Sequence, residues 1–220
     1  MSNNHVKQNF SNMQHTSCLG VILAGGLSSR MGQDKSQLIH AGTNTSMLNY
    51  SKQLLIDSGI EHIVISGSVS DIDDHQIPDI VPQTGPVGGI YSVLSQFTHT
   101  VQPQSLLILP VDLPFMTAKA LTELRIKGEL SQKSTFFKDT QGSHHRIPLY
   151  LPNTAYLNLF LTKAFQAGTL DLKASKSVKN GPSIKDMLAK IPSQAINCSS
   201  NKTLFNTNTP KEWQQAVKQF

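Results

Sequence analysis

The first half of the chain alternates apolar runs with amphipathic stretches, in the order expected for strands and helices. Residues 18–24 are an almost continuous apolar run typical of a buried strand, and residues 47–57 place leucines at helical spacing. Ser58-Gly59 follows as the C-terminal cap of that helix, and the β-branched run at 62–66 predicts a second strand. This βαβ unit predicts a parallel sheet with helices on both faces.

The alternation continues to the end of the chain, less regularly in the second half. Pro86 suits the first turn of a helix, Thr117 suits an N-cap, and residues 209–212 carry a capping-box pattern. The polar segment 171–182 predicts an exposed loop. The other elements are predicted as strands at 77–81, 105–109, 136–137, 149–151 and 203–205, and as helices from the turn at 84–89 to about 97, at 118–127, at 154–167 and from 210 onward.

Length and composition favour one domain. The 220 residues and the hydrophobic content of 38% suit a single α/β core over residues 18–220. Residues 1–17 are polar and lack the pattern of a secretion signal, which predicts a flexible tail and a cytoplasmic protein. No apolar stretch approaches the roughly 20 residues that span a bilayer. Cys18 and Cys198 are too few for a disulfide scaffold, and we expect both to be structural.

The charge of the chain favours a small anionic substrate. The formal net charge is +5 and the pI is about 9.2. Nucleic acid would explain this balance, but the lysines are dispersed and aromatic residues make up only 6% of the chain. We therefore expect no nucleic-acid partner.

The segment 23–35 has the chemistry of a phosphate-binding loop. Gly25 and Gly26 follow the first strand, where missing Cβ atoms let the backbone approach an anion, and Arg30 and Lys35 supply positive charge. The glycine spacing fits neither a P-loop nor a dinucleotide fingerprint. A tight turn alone would explain the glycine pair but not the basic residues with it.

Asp112 comes directly after the strand predicted at 105–109, so the parallel sheet places it at the same edge as the Gly25 loop. Pro110 and Pro114 restrict the backbone around it. Because a triphosphate needs Mg²⁺ and Mg²⁺ is usually held by one or two carboxylates, Asp112 is the candidate metal ligand. Capping of a loop or helix is the alternative role. Asp34, between Arg30 and Lys35, is expected to orient those side chains.

Four segments together carry a family resemblance: residues 23–35, Gly85-Pro86-Val87-Gly88-Gly89, residues 109–115 and Asn206-Thr207-Asn208-Thr209-Pro210. Over residues 18–217 the chain resembles the molybdenum cofactor guanylyltransferase (MobA) family. The resemblance implies a single Rossmann-like nucleotidyltransferase domain with a mostly parallel sheet. It also implies a GTP- and Mg²⁺-dependent reaction, in which the terminal phosphate of molybdopterin attacks the α-phosphate of GTP. The products are the guanine dinucleotide cofactor and pyrophosphate.

The resemblance also implies roles for individual residues. Asp112, Lys35 and Arg30 form the implied catalytic set, in which Asp112 binds nucleotide and metal, Lys35 contacts the phosphates and Arg30 steadies the triphosphate. Ser66 stands where the family often has an asparagine, and Gln83 is the nearest match to a family aspartate. The implied nucleotide-binding residues are Leu23, Ala24, Gly25, Gly26, Lys35, Ser66, Gln83 and Asp112, and the implied pterin-binding residues are Asn206, Asn208, His145 and Arg146.

Other functions remain open at this point. Ala24-Gly25-Gly26 favours GTP, because the related cytidylyltransferases tend to carry alanine-alanine-glycine there. A CTP-dependent molybdopterin cytidylyltransferase, a sugar-phosphate nucleotidyltransferase and a non-catalytic nucleotide-binding homologue are the alternatives. His144 and His145 are adjacent in a predicted strand, so they point to opposite faces and do not suit one metal ion. The expected partners are small-molecule substrates and proteins that deliver or insert the molybdenum cofactor.

Overall fold

The structure is a computed structural model that describes residues 17–25, 31–67, 75–97, 102–165 and 181–220. Its strands are β1 (Cys18–Leu23), β2 (Ile39–His40), β3 (Thr45–Ser46), β4 (His62–Ser66), β5 (Gln76–Ile77), β6 (Ser105–Pro110), β7 (Ser134–Lys138), β8 (His144–Pro152) and β9 (Ser193–Asn197). Its α-helices are α1 (Met47–Asp57), α2 (Gly85–Leu94), α3 (Ala118–Ser131), α4 (Ala155–Phe165), α5 (Ile184–Leu188) and α6 (Pro210–Val217). Short 3₁₀ helices lie at Lys35–Gln37 and Asn201–Leu204.

Seven of these strands form one sheet, in the order β5-β4-β1-β6-β8-β7-β9, and β2 pairs with β3 separately. The pairs β1–β4, β1–β6, β4–β5 and β7–β9 are parallel. Strand β8 runs antiparallel to both of its neighbours, β6 and β7. The mostly parallel sheet is therefore confirmed. Because β8 alone is reversed, its first residues lie at the edge where the other strands end.

Helices cover both faces of the sheet, as the sequence predicts. On one face, Val21 of β1 belongs to a buried apolar cluster with side chains of α2 and α4, such as Ile90 and Leu157. On the other face, Ile22 belongs to a second cluster with α1 and α3, represented by Leu55 and Leu121. Successive residues of β1 thus point into different core layers, which explains why the strand is apolar throughout.

Local sequence signals account for several helix ends. The side chains of Thr117 and Thr209 accept hydrogen bonds from the first turns of α3 and α6, and Glu212 completes the capping box of α6. Pro86 lies in the first turn of α2. Gly59 has a positive φ of 84° directly after the end of α1, a conformation that glycine adopts without steric cost. These predictions are confirmed.

The second half differs from the sequence prediction in several places. The strand predicted at 203–205 is wrong, because residues 201–204 form a 3₁₀ helix that buries Thr203 and Leu204, and the last strand of the sheet is β9 instead. Strand β8 has nine residues where three were predicted, and α3 runs to Ser131. The strand predicted at 77–81 is wrong beyond its first residue: β5 ends at Ile77, before Pro78.

Some predictions lie outside the described residues, in particular those for residues 1–16 and for most of the loop at 171–182. The single-domain boundary at residue 18 stays a prediction. Cys18 and Cys198 are both buried and unpaired, and burial raises the pKa of the Cys18 thiol to about 11. Within the described part of the chain, no helix is long and apolar enough to cross a membrane.

His40 joins the β2–β3 hairpin to the loop that follows β6. Its ring is 3% exposed and stacks on Tyr50 with 3.8 Å between the ring centres. The Thr43 backbone N–H donates to Nδ1 at 3.2 Å and Nε2 lies 2.8 Å from the carbonyl oxygen of Pro114, an arrangement that suits a neutral ring with its proton on Nε2. Burial lowers the pKa of this imidazole, against a smaller opposing effect of the Pro114 contact. The neutral ring is therefore part of the folded structure.

We expect the stability of the protein to depend on pH through His40. The unfolded chain binds a proton on this imidazole near its ordinary pKa of about 6.5, whereas the folded chain resists the proton, so stability falls as the pH drops below that value. His40→Phe should cost about 1–3 kcal/mol at pH 8, because the hydrogen bonds of the ring are lost. Urea unfolding between pH 8 and pH 5 should show this difference shrinking towards acid. If the difference in unfolding free energy between wild type and His40→Phe stays constant over that pH range, the folded protein does not keep His40 neutral.

Candidate active site

The candidate site lies at the edge of the sheet where β1, β4 and β6 end. Leu23, the last residue of β1, pairs with Ser66 of β4 on one side and with Pro110 of β6 on the other. The segments after Leu23, Ser66 and Pro110 therefore emerge side by side. This arrangement brings the start of the glycine loop and Asp112 to one place, as the parallel topology predicts.

The backbone after β1 is held against the backbone after β4. The N–H groups of Ala24 and Gly25 both donate to the carbonyl oxygen of Ser66, with N···O distances of 3.1 Å. A Cβ on Gly67 would lie 2.5 Å from the Cα and the N of Gly25, so no larger residue fits without displacing the backbone. The close approach inferred for Gly25 is thus made to Gly67. The N–H groups of Ala24 and Gly25 are already donated, which differs from the phosphate cradle expected at this point.

Ser66 faces helix α2 at Gly89. Its side chain is buried, and a Cβ on Gly89 would lie 2.4 Å from its Oγ, so glycine at position 89 makes room for the hydroxyl group. Ser66, where the resemblance implies an asparagine, is therefore buried and packed against a helix. Its role as a nucleotide contact stays a prediction.

Lys35 makes the central polar contact of the site. Its ammonium Nζ donates to Asp112 Oδ2 at 2.9 Å and to Asn208 Oδ1 at 2.8 Å. The backbone around Lys35 is fixed by Asp34, whose carboxylate accepts the Ser36 N–H at 2.9 Å and caps the 3₁₀ helix that starts at Lys35. The structure thus brings together three residues selected from the sequence, although Asn208 was assigned to the pterin.

The chain just before α6 fixes both partners of Lys35. Thr207 binds the main-chain carbonyl of Asp112 through its backbone N–H at 2.9 Å and its hydroxyl at 3.2 Å. Glu212 Oε2 accepts hydrogen bonds from the backbone N–H groups of Asn208 and Thr209 and from the Thr209 hydroxyl. The Thr209 hydroxyl bond, followed by the Asn208 N–H bond, lowers the pKa of Glu212. Sequence reasoning found the capping box but not its connection to Asp112 and Lys35.

Asp112 fits the role of a metal ligand. Its Oδ2 binds Lys35, whereas Oδ1 is buried and has no hydrogen-bond partner among the described residues, which is unusual for a carboxylate oxygen. A hard cation such as Mg²⁺ would satisfy that oxygen. In the part of the chain that the structure describes, no group of three or more His, Cys, Asp or Glu side chains gathers as a metal site. A cation at Asp112 would therefore take most of its ligands from substrate oxygens and water.

His145 and Arg146, the second and third residues of β8, lie at the same edge of the sheet because β8 is reversed. His145 Nε2 lies 3.3 Å from Asp139 Oδ2 in the β7–β8 turn. The Ser143 backbone N–H is the largest cause of a lowered pKa at Asp139, and His145 also contributes. These residues stand on the other side of β6 from the glycine loop. Asn206 is exposed, and its pterin role stays a prediction.

Three other predicted residues have less support. Gly26 and Arg30 lie outside the described residues, so their roles stay predictions. Gln83 is exposed and has a positive φ of 64°, just before α2. The structure gives it a turn conformation, and its role as a nucleotide contact stays a prediction.

Asp79 is a candidate that the sequence prediction missed. It lies two residues after the end of β5, as Asp112 lies two residues after the end of β6. Although much of the residue is exposed, desolvation by the surrounding protein raises the pKa of its carboxyl group. The sequence prediction missed Asp79 because the strand predicted at 77–81 placed this residue inside the strand and not after its end. A carboxylate shortly after a strand at the common edge was the pattern that could have found it.

The comparison with known families agrees with this geometry. Residues 20–174 match the sequence profile of the MobA-like NTP transferase domain. The chain belongs to this family. A molybdenum cofactor guanylyltransferase of Xanthomonas euvesicatoria is 28% identical, over 90% of this chain and 93% of the relative. A probable molybdenum cofactor guanylyltransferase of Flavobacterium johnsoniae is 28% identical, over 85% and 88% of the two chains.

A solved structure shares the MobA-like fold. The crystal structure of molybdopterin-guanine dinucleotide biosynthesis protein A from Archaeoglobus fulgidus superposes with a TM-score of 0.65 at 18% sequence identity. The match covers 91% of this chain and 97% of that one. At this identity the likeness concerns the fold alone.

The backbone contact between Gly25 and Gly67 can be tested by stability. Gly67→Ala should be more destabilising than Gly142→Ala, since both glycines have positive φ (105° and 83°) but only the Cβ at position 67 meets backbone. The left-handed conformation should cost each variant about 1–2 kcal/mol, and the clash should cost Gly67→Ala about 1–3 kcal/mol more. Chemical denaturation measures both. Equal losses of stability in the two variants would show that the segments carrying Gly25 and Gly67 can move apart without cost.

Proposed function

We propose that this protein is a molybdenum cofactor guanylyltransferase, which transfers GMP from GTP to the terminal phosphate of molybdopterin carrying its metal. The observation that carries the proposal is the contact between Lys35 and Asp112 at the common strand edge, in a chain of the MobA-like family. An ammonium group on a flexible side chain and a carboxylate with one oxygen unpartnered among the described residues suit a metal-bound polyphosphate. The names of the relatives support molybdopterin as the acceptor.

The reaction needs no strong base. A phosphate oxygen of molybdopterin forms a bond to the α-phosphorus of GTP while the bond from that phosphorus to the bridging oxygen breaks. Pyrophosphate leaves with the electron pair. Because the attacking oxygen is already anionic, the protein contributes mainly by positioning the two phosphates and neutralising their charge. Lys35 would leave Asp112 to bind the phosphates of GTP, and Arg30 would bind the pyrophosphate leaving group.

Mg²⁺ would be held by Asp112 and would supply further neutralisation of the phosphate charge. Asn206, His145 and Arg146 would line the side that receives the pterin, beyond β6 from the nucleotide. A cytoplasmic location and contact with proteins that deliver or insert the cofactor are part of this proposal, and they rest on the sequence and the family resemblance.

Asp79 would recognise the guanine base of the nucleotide. Guanine presents two neighbouring N–H donors on its Watson–Crick edge, and a carboxylate can accept from both, as in other paired contacts of this ion. Cytosine presents one amino group beside an acceptor nitrogen, which a carboxylate would repel. This role suits Asp79 better than Gln83, whose amide is neutral.

The choice of nucleotide tests the function. We expect the purified protein with molybdopterin and Mg²⁺ to form dinucleotide product from GTP, with CTP, ATP and UTP giving little. Asp79→Asn should reduce the preference for GTP, and Gln83→Ala is the matched change at the neighbouring turn. Chromatography of the products separates the four reactions. Product from CTP alone would favour a cytidylyltransferase, and product with a sugar phosphate in place of molybdopterin would favour the other alternative.

Asp112→Asn should lower the transfer rate by about 100-fold or more, because lost electrostatic stabilisation at one group commonly costs this much. The change keeps the size of the side chain, so the unfolding temperature should stay close to that of the wild type. Release of pyrophosphate measures the rate. Unchanged turnover in Asp112→Asn would remove Asp112 from the reaction, and absence of turnover in the wild type with all nucleotides would favour a non-catalytic homologue.

A further inference from the structure

The contact between Lys35 and Asp112 places one ammonium ion on the carboxylate that is proposed to hold the metal. The two side chains are 16% and 14% exposed, so water only partly screens their charges. Lys35 uses a second donor on Asn208 Oδ1, a neutral acceptor. The ammonium is thus held between a charged oxygen and a neutral one.

A divalent cation at Asp112 would meet this ammonium at close range. Two positive ions on one carboxylate repel each other, and the repulsion is stronger where water is partly excluded. Lys35 would have to leave for the metal to bind well. A triphosphate offers Lys35 several anionic oxygens, so the arrival of a nucleotide would both draw the ammonium away and bring ligands for the metal.

Asn208 is well placed to control how firmly Lys35 is held. Its backbone N–H donates to Glu212 at 2.8 Å, and its neighbour Thr207 binds the main chain of Asp112. The amide oxygen is therefore presented by a fixed turn that is itself tied to Asp112. Loss of that oxygen would remove one of the two acceptors that hold the ammonium among the described residues, while the positive charge of Lys35 would stay in place.

We propose that Asn208 is a positioning residue that holds Lys35 on Asp112, and that Lys35 thereby competes with a divalent cation for this carboxylate until a nucleotide draws the ammonium away. Metal and nucleotide then bind together, and metal alone binds weakly. The inference rests on the metal site of the proposed function. It gives Asn208 a role on the nucleotide side, in place of the pterin contact inferred from the family.

The test uses Mn²⁺ alone, titrated into the full-length protein without nucleotide and followed by calorimetry or by the electron paramagnetic resonance of free Mn²⁺. Lys35→Gln should raise the affinity for Mn²⁺ by roughly tenfold, the scale of one charge-assisted contact. Lys127→Gln, which removes the same charge from an exposed position on α3, should leave the affinity unchanged. An unchanged or lowered affinity in Lys35→Gln would overturn the proposal.

Asn208→Leu separates positioning from simple charge. This change keeps the ammonium and the approximate size of the side chain but removes the acceptor, so the affinity for Mn²⁺ should rise by a smaller factor, about threefold. A lowered affinity for Mn²⁺ would indicate that Asn208 is a metal ligand. An unchanged affinity would show that Asn208 does not keep Lys35 on Asp112. Either result contradicts the proposal. If Asn208→Leu does not fold, Asn208→Ala tests the same loss.

Two further measurements keep this inference distinct from the proposed function. Asp112→Asn should bind Mn²⁺ more weakly than the wild type, and an unchanged affinity would show that Asp112 is not the metal site. In the presence of GTP, Lys35→Gln should weaken nucleotide binding although it tightens Mn²⁺ alone. If the Mn²⁺ results hold and no guanylyl transfer is found, the competition stands and the proposed reaction is wrong.

Discussion

The site depends on one requirement, that the partly buried carboxylate of Asp112 has a cation beside it. Burial of an unpaired charge is costly, and Lys35 supplies the opposite charge from a segment 77 residues away in the chain. Asn208, 173 residues from Lys35, completes the contact. These three segments can meet because β1 and β6 are parallel neighbours that end at the same edge, and because Thr207 ties the last segment to Asp112. The order and direction of the strands therefore bring the positive charge of Lys35 to the carboxylate of Asp112.

The second constraint is the contact between two backbones at Gly25 and Gly67. Here the glycines serve the protein itself, because the N–H groups of Ala24 and Gly25 are bonded to Ser66. A phosphate bound beside this loop would find these two N–H groups already hydrogen-bonded, which makes Lys35 more important as a source of positive charge. A glycine pair after a strand is therefore a weak indication of a phosphate site by itself. The indication becomes stronger when a lysine follows in the same loop.

The sequence predicts structure well where local chemistry decides it. Residues 47–57 and 62–66 have the predicted bounds, and the caps at Thr117 and Thr209 were visible because capping depends on neighbours three residues apart. Strand β9 could not be found, since its sequence Ser-Gln-Ala-Ile-Asn is mostly polar and its pairing with β7 spans about 60 residues. Residues 203–205 looked like a strand, but Thr203 and Leu204 are buried by a 3₁₀ turn. Likewise Lys35 and Asp112 were visible as single residues, while the contact of Lys35 with Asn208 was not.

The order of the strands also explains how one enzyme can bring two phosphorylated substrates together. Strand β6 is the middle of the seven, with β1, β4 and β5 on one side and β8, β7 and β9 on the other. The glycine loop, Gly67 and Asp79 follow strands on the first side, whereas His145 and Arg146 lie near the start of β8 on the second. Asp112 follows β6 itself and so lies at the boundary. On the proposed function, the guanylyl group is transferred between substrates bound on the two sides, and the boundary is the place where charge from both must be neutralised. A carboxylate that exchanges an ammonium for a metal ion at this position would act when the nucleotide is bound, because the nucleotide is what releases the ammonium.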